Sequence, residues 1–201
     1  MIVLITGPSG AGKSTFVHQL MANDDRLAFS ISTTTRPIRE GEVDGRDYDF
    51  VGDEVFDKLV EDGAFVEWAH VHNNRYGTRR SRLDEMAAAG KIPLLDIDVQ
   101  GGVNVIGMFG TELVSVFLFP PSWDELERRL RSRATDTDDV IATRLKNART
   151  EVGYADQYTY WVVNDDLDDA TRRMAAIILA ESCRGESFEG NPLDQGCSDL
   201  D

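Results

Sequence analysis

The stretch GPSGAGKST, at residues 7–15, constrains the fold more than any other part of this sequence. It fits the pattern GxxxxGK[ST], follows directly on a short apolar segment at residues 2–6, and precedes a segment whose apolar residues recur at helical spacing. An apolar strand that passes through a glycine-rich turn into a helix is typical of an α/β sheet covered on both faces. The match in this context predicts a phosphate-binding loop.

The residue types in the loop indicate how it would bind a nucleotide. Its glycines allow successive backbone N–H groups to point inward, and the following helix N-terminus adds partial positive charge. Lys13 is expected to reach the β and γ oxygens of ATP, and the Ser14 hydroxyl to bind Mg²⁺. A glycine-rich turn without a ligand is the alternative. The predicted ATP-binding residues of the loop are Gly7, Pro8, Ser9, Gly10, Ala11, Gly12, Lys13, Ser14 and Thr15.

The rest of the chain predicts a doubly wound parallel sheet. Apolar runs recur at residues 92–99, 113–119 and 160–164, with segments of helical spacing between them. Ser122 and Glu125 stand at capping-box spacing at the start of one such segment. Residues 29–79 interrupt the rhythm with short alternating segments and a predicted helix at 54–62. We expect a mixed α/β insertion there, with residues 1–28 and 80–184 as the core.

Charge limits the possible partners. With 36 acidic and 21 basic residues, the chain has a formal net charge of -15 at pH 7. This balance argues against a broad basic surface for nucleic acid or for an anionic membrane, so an anionic ligand must be held by a local cluster of cations. The sequence has no HRD or DFG element of protein kinases, and no Gln or His after a DxxG element as in signalling GTPases.

The remaining composition favours a cytoplasmic protein with no membrane partner, and it leaves open whether the protein is a monomer or a homodimer. No stretch approaches membrane-spanning length, and the N-terminal run lacks the pattern of a signal peptide. Cys183 and Cys197 form no CxxC pair, which argues against a zinc site. Residues 185–201 are acidic and without periodicity, so we expect a disordered tail.

An arginine-rich turn is a candidate anion site. In STTTRPIREGEVDGRDYDF, residues 32–50, Arg36 and Arg39 lie three apart, near turn glycines and Tyr48. A guanidinium binds phosphate through two parallel hydrogen bonds, and a tyrosine hydroxyl adds a neutral donor. On these residues alone, a phosphate site and a solvated turn with surface ion pairs are equally acceptable.

A carboxylate interrupts a predicted strand within GAFVEWAHVHNNRYGT, residues 63–78. With a side-chain period of two, Glu67 shares one face with Phe65, Ala69 and Val71. Burying an unpaired charge costs on the order of several kcal/mol. Glu67 is therefore expected to be exposed at a strand end, protonated, or paired with a group that donates hydrogen bonds.

Two aspartates follow the apolar run at 92–99, at the edge where open α/β sheets bind ligands. One of Asp96 and Asp98 is expected to orient a water on Mg²⁺ or to contact the substrate, and we favour Asp98. An aspartate that caps a helix or ends a strand is the alternative.

Taken in order, these motifs resemble those of the guanylate kinases, within the nucleoside monophosphate kinase group of P-loop kinases. GPSGAGKST is followed by STTTR, GEVDGRDYDFV, FVEWAHVHNNRYGT, LLDIDVQGG and VVNDDL. The resemblance implies ATP-dependent phosphorylation of GMP, and of dGMP, to GDP in purine nucleotide metabolism, with Mg²⁺ as cofactor. Two alternatives stay open: a P-loop kinase of another small phosphorylated acceptor, and a non-catalytic guanylate-kinase-like interaction module.

The resemblance also implies roles for individual residues. Glu67, with Ser32 and Thr78, would read guanine, because the N1–H and the N2 amine match the two oxygens of one carboxylate. The lid at 128–145 would bring Arg133 and Arg144 to the transferring phosphoryl group, and Asn164 would contact adenine. The GMP phosphate would be held by Arg36, Arg39, Tyr48 and Tyr76. The predicted catalytic residues are Lys13, Arg39, Arg133 and Arg144, with Asp98 as a GMP contact and Ser14 and Asp98 as Mg²⁺ ligands.

Overall fold

The structure is a computed structural model that describes residues 1–71, 73–132 and 137–185. In chain order the first elements are β1 (Ile2–Thr6), α1 (Lys13–Asn23), β2 (Leu27–Phe29), β3 (Thr33–Thr34), β4 (Asp49–Phe50), α2 (Asp53–Glu61), β5 (Phe65–Val71) and β6 (Asn74–Arg79). They are followed by α3 (Arg80–Ala88), β7 (Ile92–Asp96), α4 (Val99–Phe109), β8 (Leu113–Phe119), α5 (Trp123–Arg131), α6 (Asp138–Val152), β9 (Tyr160–Val163) and α7 (Leu167–Ser182).

A five-stranded parallel sheet with the order β2-β7-β1-β8-β9 forms the centre of the molecule. Val3, in β1, pairs in register with Leu94 of β7 on one side and with Val114 of β8 on the other. A central strand of this kind is covered on both faces, and Val3, Leu4 and Ile5 have no exposed surface. The predicted doubly wound α/β fold is confirmed.

The two faces of this sheet bury separate apolar clusters. On one face, Phe16 and Leu20 of α1 pack with Met174 of α7. On the other face, Leu83 of α3 packs with Val105 of α4. These helices leave the carboxyl ends of the parallel strands open, which is the edge where the loop after β1 and the aspartates after β7 lie.

A second sheet, with the order β4-β3-β6-β5, corresponds to the predicted mixed insertion. Its β5 and β6 are antiparallel, while β3 and β4 are parallel. Phe56 of α2 covers one face of this sheet, with its ring stacked 4.7 Å from that of Phe65. The predicted boundary at residue 29 falls on Phe29, the last residue of β2 in the main sheet.

A bulge in β5 makes the predicted face of Phe65 wrong. The pairing register with β6 shifts between Phe65 and Glu67, so one extra residue stands in the strand. Phe65 therefore points to the same side as Trp68, whose ring lies 6.1 Å from Phe56. Glu67 remains on the other side with Ala69 and Val71, as the alternation predicts.

Some predictions fall on residues that the structure does not describe. These are the lid arginine Arg133 and the expected tail, apart from Gly185. Among the helices of the described ranges, none combines the length and the apolar character needed to cross a membrane.

Candidate active site

The loop between β1 and α1 lines a cavity of about 360 Å³. Gly12 directly precedes α1 with a φ of 92°, a left-handed backbone that glycine adopts without steric cost. The Ala11 N–H donates to the Pro8 carbonyl over 3.0 Å and closes the turn. Seven loop residues line the cavity: Gly7, Ser9, Gly10, Gly12, Lys13, Ser14 and Thr15. The partial positive charge at the start of α1 suits this cavity to an anion.

Lys13 is held by its own loop. Its ammonium Nζ donates a 2.8 Å hydrogen bond to the Gly7 carbonyl, and the residue lines the cavity. The side chain is thus fixed at the phosphate-binding end of the sheet.

Two side chains brace the loop from behind. Asn164, only 6% exposed, donates from its Nδ2 to the Ala11 carbonyl over 2.8 Å. Arg129 donates to the same carbonyl over 3.2 Å and to the Asn164 carbonyl over 3.0 Å. The adenine contact of Asn164 stays a prediction, since its side-chain amide is bonded to the loop. Arg129 was not identified from the sequence, where it is one of several arginines on a charged helix.

A second cavity, of about 280 Å³, opens between the two sheets. Its walls are residues Ser32, Tyr48, Glu67, Ala69, Val71, Tyr76, Asp96, Ile97 and Asp98. Asp96 and Asp98 line both this cavity and the loop cavity. The two cavities therefore meet at the end of β7, and a ligand in one would adjoin a ligand in the other.

Glu67 is a buried carboxylate in the wall of the second cavity. It is 8% exposed, and its Oε1 accepts a 2.9 Å hydrogen bond from the hydroxyl of Thr78 on the neighbouring strand. Burial raises the pKa of Glu67 to about 7; the Thr78 bond lowers it and the nearby charge of Asp98 raises it. The carboxylate is thus held in place but carries a cost when charged, which a ligand with two donors would offset.

Three of the four predicted phosphate-holding residues, Arg36, Tyr48 and Tyr76, lie together beside this cavity. The rings of Tyr48 and Tyr76 meet edge to face, with centroids 5.9 Å apart. The Arg36 guanidinium lies 5.2 Å from the Tyr48 centroid and is paired with Glu42. Burial raises the pKa of Tyr48, so its hydroxyl stays a neutral donor. Arg39 is exposed.

The two aspartates after β7 differ in their surroundings. Asp98 caps α4, because its Oδ1 accepts from the backbone N–H of Gln100 over 2.8 Å and of Gly101 over 2.9 Å. Helix capping is the alternative that we stated for this aspartate from the sequence. Asp96 ends β7. Burial raises the pKa of Asp96 above its ordinary value, and the charge of Lys13 offsets part of this rise.

The oxygen donors at the junction suit a hard cation that shares its ligands with a phosphate. Ser14, Asp96 and Asp98 line the loop cavity together. The described ranges contain no group of three or more His, Cys, Asp or Glu side chains placed to hold a metal. Mg²⁺ commonly uses one or two carboxylates together with substrate phosphates and water, so this sparse donor set fits Mg²⁺.

Helix α6 presents a polar row to the phosphate loop. Arg144, Asn147 and Glu151 recur at helical spacing and line a further cavity with Ser9. In the described part of the chain, Glu151 Oε2 is buried without a hydrogen-bond partner. Burial raises the pKa of Glu151, and Lys13 and the Ser9 backbone N–H lower it. Glu151 was missed in the sequence, although its position seven residues after Arg144 places both on one helix face.

The guanylate kinase family model matches residues 1–181. This chain belongs to the guanylate kinase family. Its fold is similar to the crystal structure of guanylate kinase from Anaplasma phagocytophilum, with a TM-score of 0.74 and 34% sequence identity. That similarity covers 92% of this chain and 87% of the Anaplasma chain.

Curated relatives support the same family over most of their length. The guanylate kinase of Syntrophotalea carbinolica is 49% identical over 184 residues, which are 92% of this chain and 87% of that protein. The guanylate kinase of Sulfurimonas denitrificans is 42% identical over 199 residues, with 99% and 97% covered. The resemblance predicted from the motifs is confirmed.

The structure brings together most of the site residues that were predicted for a guanylate kinase. Ser32, Tyr48, Glu67, Tyr76 and Asp98 surround the second cavity. Thr78 reaches that site through its bond to Glu67, and Arg36 lies behind Tyr48. Pro8 and Ala11 shape the loop without lining its cavity, and Arg144 lies in the wall formed by α6.

Proposed function

We propose that this chain catalyses the reaction of its family, ATP-dependent phosphorylation of GMP to GDP, with ATP at the phosphate loop and GMP in the second cavity. The observation that carries the assignment of the two sites is that both cavities share Asp96 and Asp98. An acceptor phosphate and a donor phosphate could meet only where the cavities join. The products are ADP and GDP.

Glu67 recognises guanine in this proposal. Guanine presents N1–H and the N2 amine side by side, and a carboxylate has two oxygens that accept both bonds. Adenine has an acceptor at N1 and no N2 amine, so it would leave the buried carboxylate unpaired. The Thr78 hydroxyl, 2.9 Å from Oε1, supports this role because it fixes the carboxylate.

Phosphoryl transfer here depends on positioning and on charge. The acceptor is a phosphate oxygen with a second pKa near ~6, so it is mostly ionised at neutral pH and needs no general base. Arg36, Arg39, Tyr48 and Tyr76 hold the GMP phosphate, while Lys13, Arg133 and Arg144 neutralise charge on the transferring group. Ser14 and Asp98 are the proposed Mg²⁺ ligands, and the ion when bound would neutralise phosphate oxygens.

The two alternative functions are not favoured. An interaction module has no need for a phosphate loop whose lysine, Lys13, lines an open cavity. A kinase of another phosphorylated acceptor has no use for a buried carboxylate braced by a threonine in its acceptor site. The identities of 42 and 49% to proteins named guanylate kinase point the same way.

A substrate panel tests the function. With ATP and Mg²⁺, ADP formation would be followed with GMP, dGMP, IMP, AMP and UMP as acceptors. GMP should be the best acceptor and dGMP a substrate, whereas IMP, which lacks the N2 amine, should be much poorer. Equal use of GMP and AMP would overturn the proposal.

Glu67→Ala tests the base-recognition site. Two charge-assisted hydrogen bonds are lost, so kcat/KM for GMP should fall by about 10²-fold or more. The KM for ATP should stay unchanged, and the ratio of kcat/KM for GMP to that for IMP should fall. Glu85→Ala, at an exposed position of α3, is the control. An unchanged ratio of GMP to IMP activity would show that Glu67 does not recognise the guanine base.

A further inference from the structure

The carboxylate of Glu67 occupies the space where any residue other than glycine at position 101 would place its Cβ. An ideal Cβ at Gly101 would lie 2.8 Å from Glu67 Oε2 and 3.4 Å from Glu67 Cδ. The same Cβ would lie 2.6 Å from Cγ2 of Ile97. Glu67 and Ile97 both line the proposed GMP cavity, so a side chain at position 101 would press on two of its walls.

The backbone does not account for a glycine at this position. Gly101 lies in the first turn of α4, and its φ is not positive. Alanine is the stronger helix former, so helix formation would favour it. The other glycines of α4 have different surroundings. A Cβ at Gly107 would meet nothing within 4 Å, and one at Gly102 would meet the Tyr158 hydroxyl at 2.3 Å.

The contact between Gly101 and Glu67 is steric. The Gly101 N–H already donates to Asp98 Oδ1 over 2.9 Å. Oε2 of Glu67 thus lies in the space that a side chain at position 101 would fill, while Oε1 is bonded to Thr78 of β6. Thr78 holds one oxygen, and the missing side chain leaves room for the other.

We propose that Gly101 is a specificity-determining residue, whose missing side chain provides the space in which Glu67 presents both oxygens to the base. The inference rests on the proposed guanine-binding role of Glu67. A methyl group at position 101 displaces Oε2 and turns the carboxylate about its bond to Thr78. The two oxygens then no longer face N1–H and the N2 amine together. GMP loses the amine bond, whereas IMP has no amine and loses less.

Gly101→Ala is compared with Gly107→Ala in the same helix. For Gly101→Ala, the ratio of kcat/KM for GMP to that for IMP should fall by about tenfold or more, the scale of one charge-assisted hydrogen bond. The KM for ATP should not change. Gly107→Ala, which adds a methyl group in open space, should retain the wild-type ratio. An equal loss with GMP and IMP, or a raised KM for ATP, would show a merely structural role and overturn the proposal.

A double-mutant cycle isolates the contact with Glu67. In a Glu67→Ala background, Gly101→Ala should leave the GMP/IMP ratio where Glu67→Ala alone puts it, because no carboxylate remains to be displaced. A further change in the ratio would contradict the proposal. If Gly101→Ala does not fold, the same comparison is made in an Ile97→Ala background, where the contact with the Ile97 methyl is removed and that with Glu67 remains.

The cycle also separates this inference from the function on which it rests. If Glu67→Ala itself leaves the ratio unchanged, guanine recognition by Glu67 fails. If Glu67→Ala lowers the GMP/IMP ratio and Gly101→Ala does not, the proposed role of Gly101 fails while guanine recognition by Glu67 stands.

Discussion

Arg36 and Glu42 form an ion pair with two hydrogen bonds beside the proposed GMP site. Nη2 of Arg36 lies 2.7 Å from Oε1 of Glu42, and Nη1 lies 3.0 Å from Oε2. The Arg36 side chain is only 8% exposed, and Glu42 raises the pKa of its guanidinium. The pair fixes the plane of a cation that is expected to bind the GMP phosphate, so we expect Glu42 to affect GMP binding through Arg36.

Glu42→Gln should weaken GMP binding while sparing ATP binding. The amide cannot form the charged pair, so the Arg36 guanidinium loses its fixed plane. We expect the KM for GMP to rise about tenfold, the scale of one charge-assisted hydrogen bond. Initial rates at varied GMP and then at varied ATP measure this. Glu40→Gln, exposed in the same turn, is the control. An unchanged KM for GMP would show that the pair only supports the fold.

Lys13→Ala should abolish most of the activity without loss of the fold. The Lys13 side chain donates a 2.8 Å hydrogen bond to the Gly7 carbonyl and is not part of the two apolar clusters of the main sheet. Removal of one preorganised charge-stabilising donor should lower kcat by about 10²-fold or more. Turnover and a thermal melt are measured together, with Lys91→Ala, whose ammonium bonds to the Asp25 carbonyl far from the loop, as control. Wild-type turnover in a folded variant would contradict the role of Lys13.

Apolar periodicity predicted the main sheet well. The run at residues 113–119 coincides with β8, and the run at residues 160–164 covers β9. Ser122 caps α5 as its spacing predicts, with its hydroxyl accepting from the Glu125 N–H over 3.1 Å. The reciprocal half of the predicted capping box is replaced, because the Glu125 carboxylate binds Arg128 and Arg129. Local patterns specify such features because the interacting residues lie within one or two turns.

The sequence could not predict features that depend on single residues or distant contacts. One extra residue in β5 turns Phe65 to the other face, and no periodicity marks it. Asn164 bonds to the Ala11 carbonyl across 153 positions, a contact that only the packed sheet creates. The space beside Gly101 depends likewise on how closely α4 approaches Glu67.

Removal of residues 185–201 should leave the enzyme unchanged. The segment is acidic and lacks an apolar periodicity, and the family match ends at residue 181. A chain that ends at Arg184 should therefore keep the wild-type kcat/KM for GMP and the wild-type melting temperature. Steady-state kinetics and a thermal melt of both chains measure this. A large loss of either would show that the segment docks on the enzyme or joins two copies.

Glu67→Gln should stabilise the empty enzyme, and more so at higher pH. Burial raises the pKa of Glu67 from 4.5 to about 7, so between these pH values the folded protein binds more protons there than the unfolded chain. This contribution to stability is present in full below pH 4.5 and is lost as pH rises through about 7. A shift of this size corresponds to about 3 kcal/mol, which glutamine avoids because it does not ionise.

The expected result is a difference in unfolding free energy between Glu67→Gln and wild type that rises with pH and levels off above about 7. Urea unfolding from pH 4.5 to pH 8 measures it, and subtraction cancels groups that titrate equally in both proteins. Glu85→Gln, at an exposed position, should show no such rise. Saturating GMP should reverse the order at pH 8, because its two donors stabilise the carboxylate of the wild type but not the amide. A difference independent of pH would mean that Glu67 is not a buried carboxylate in the empty enzyme.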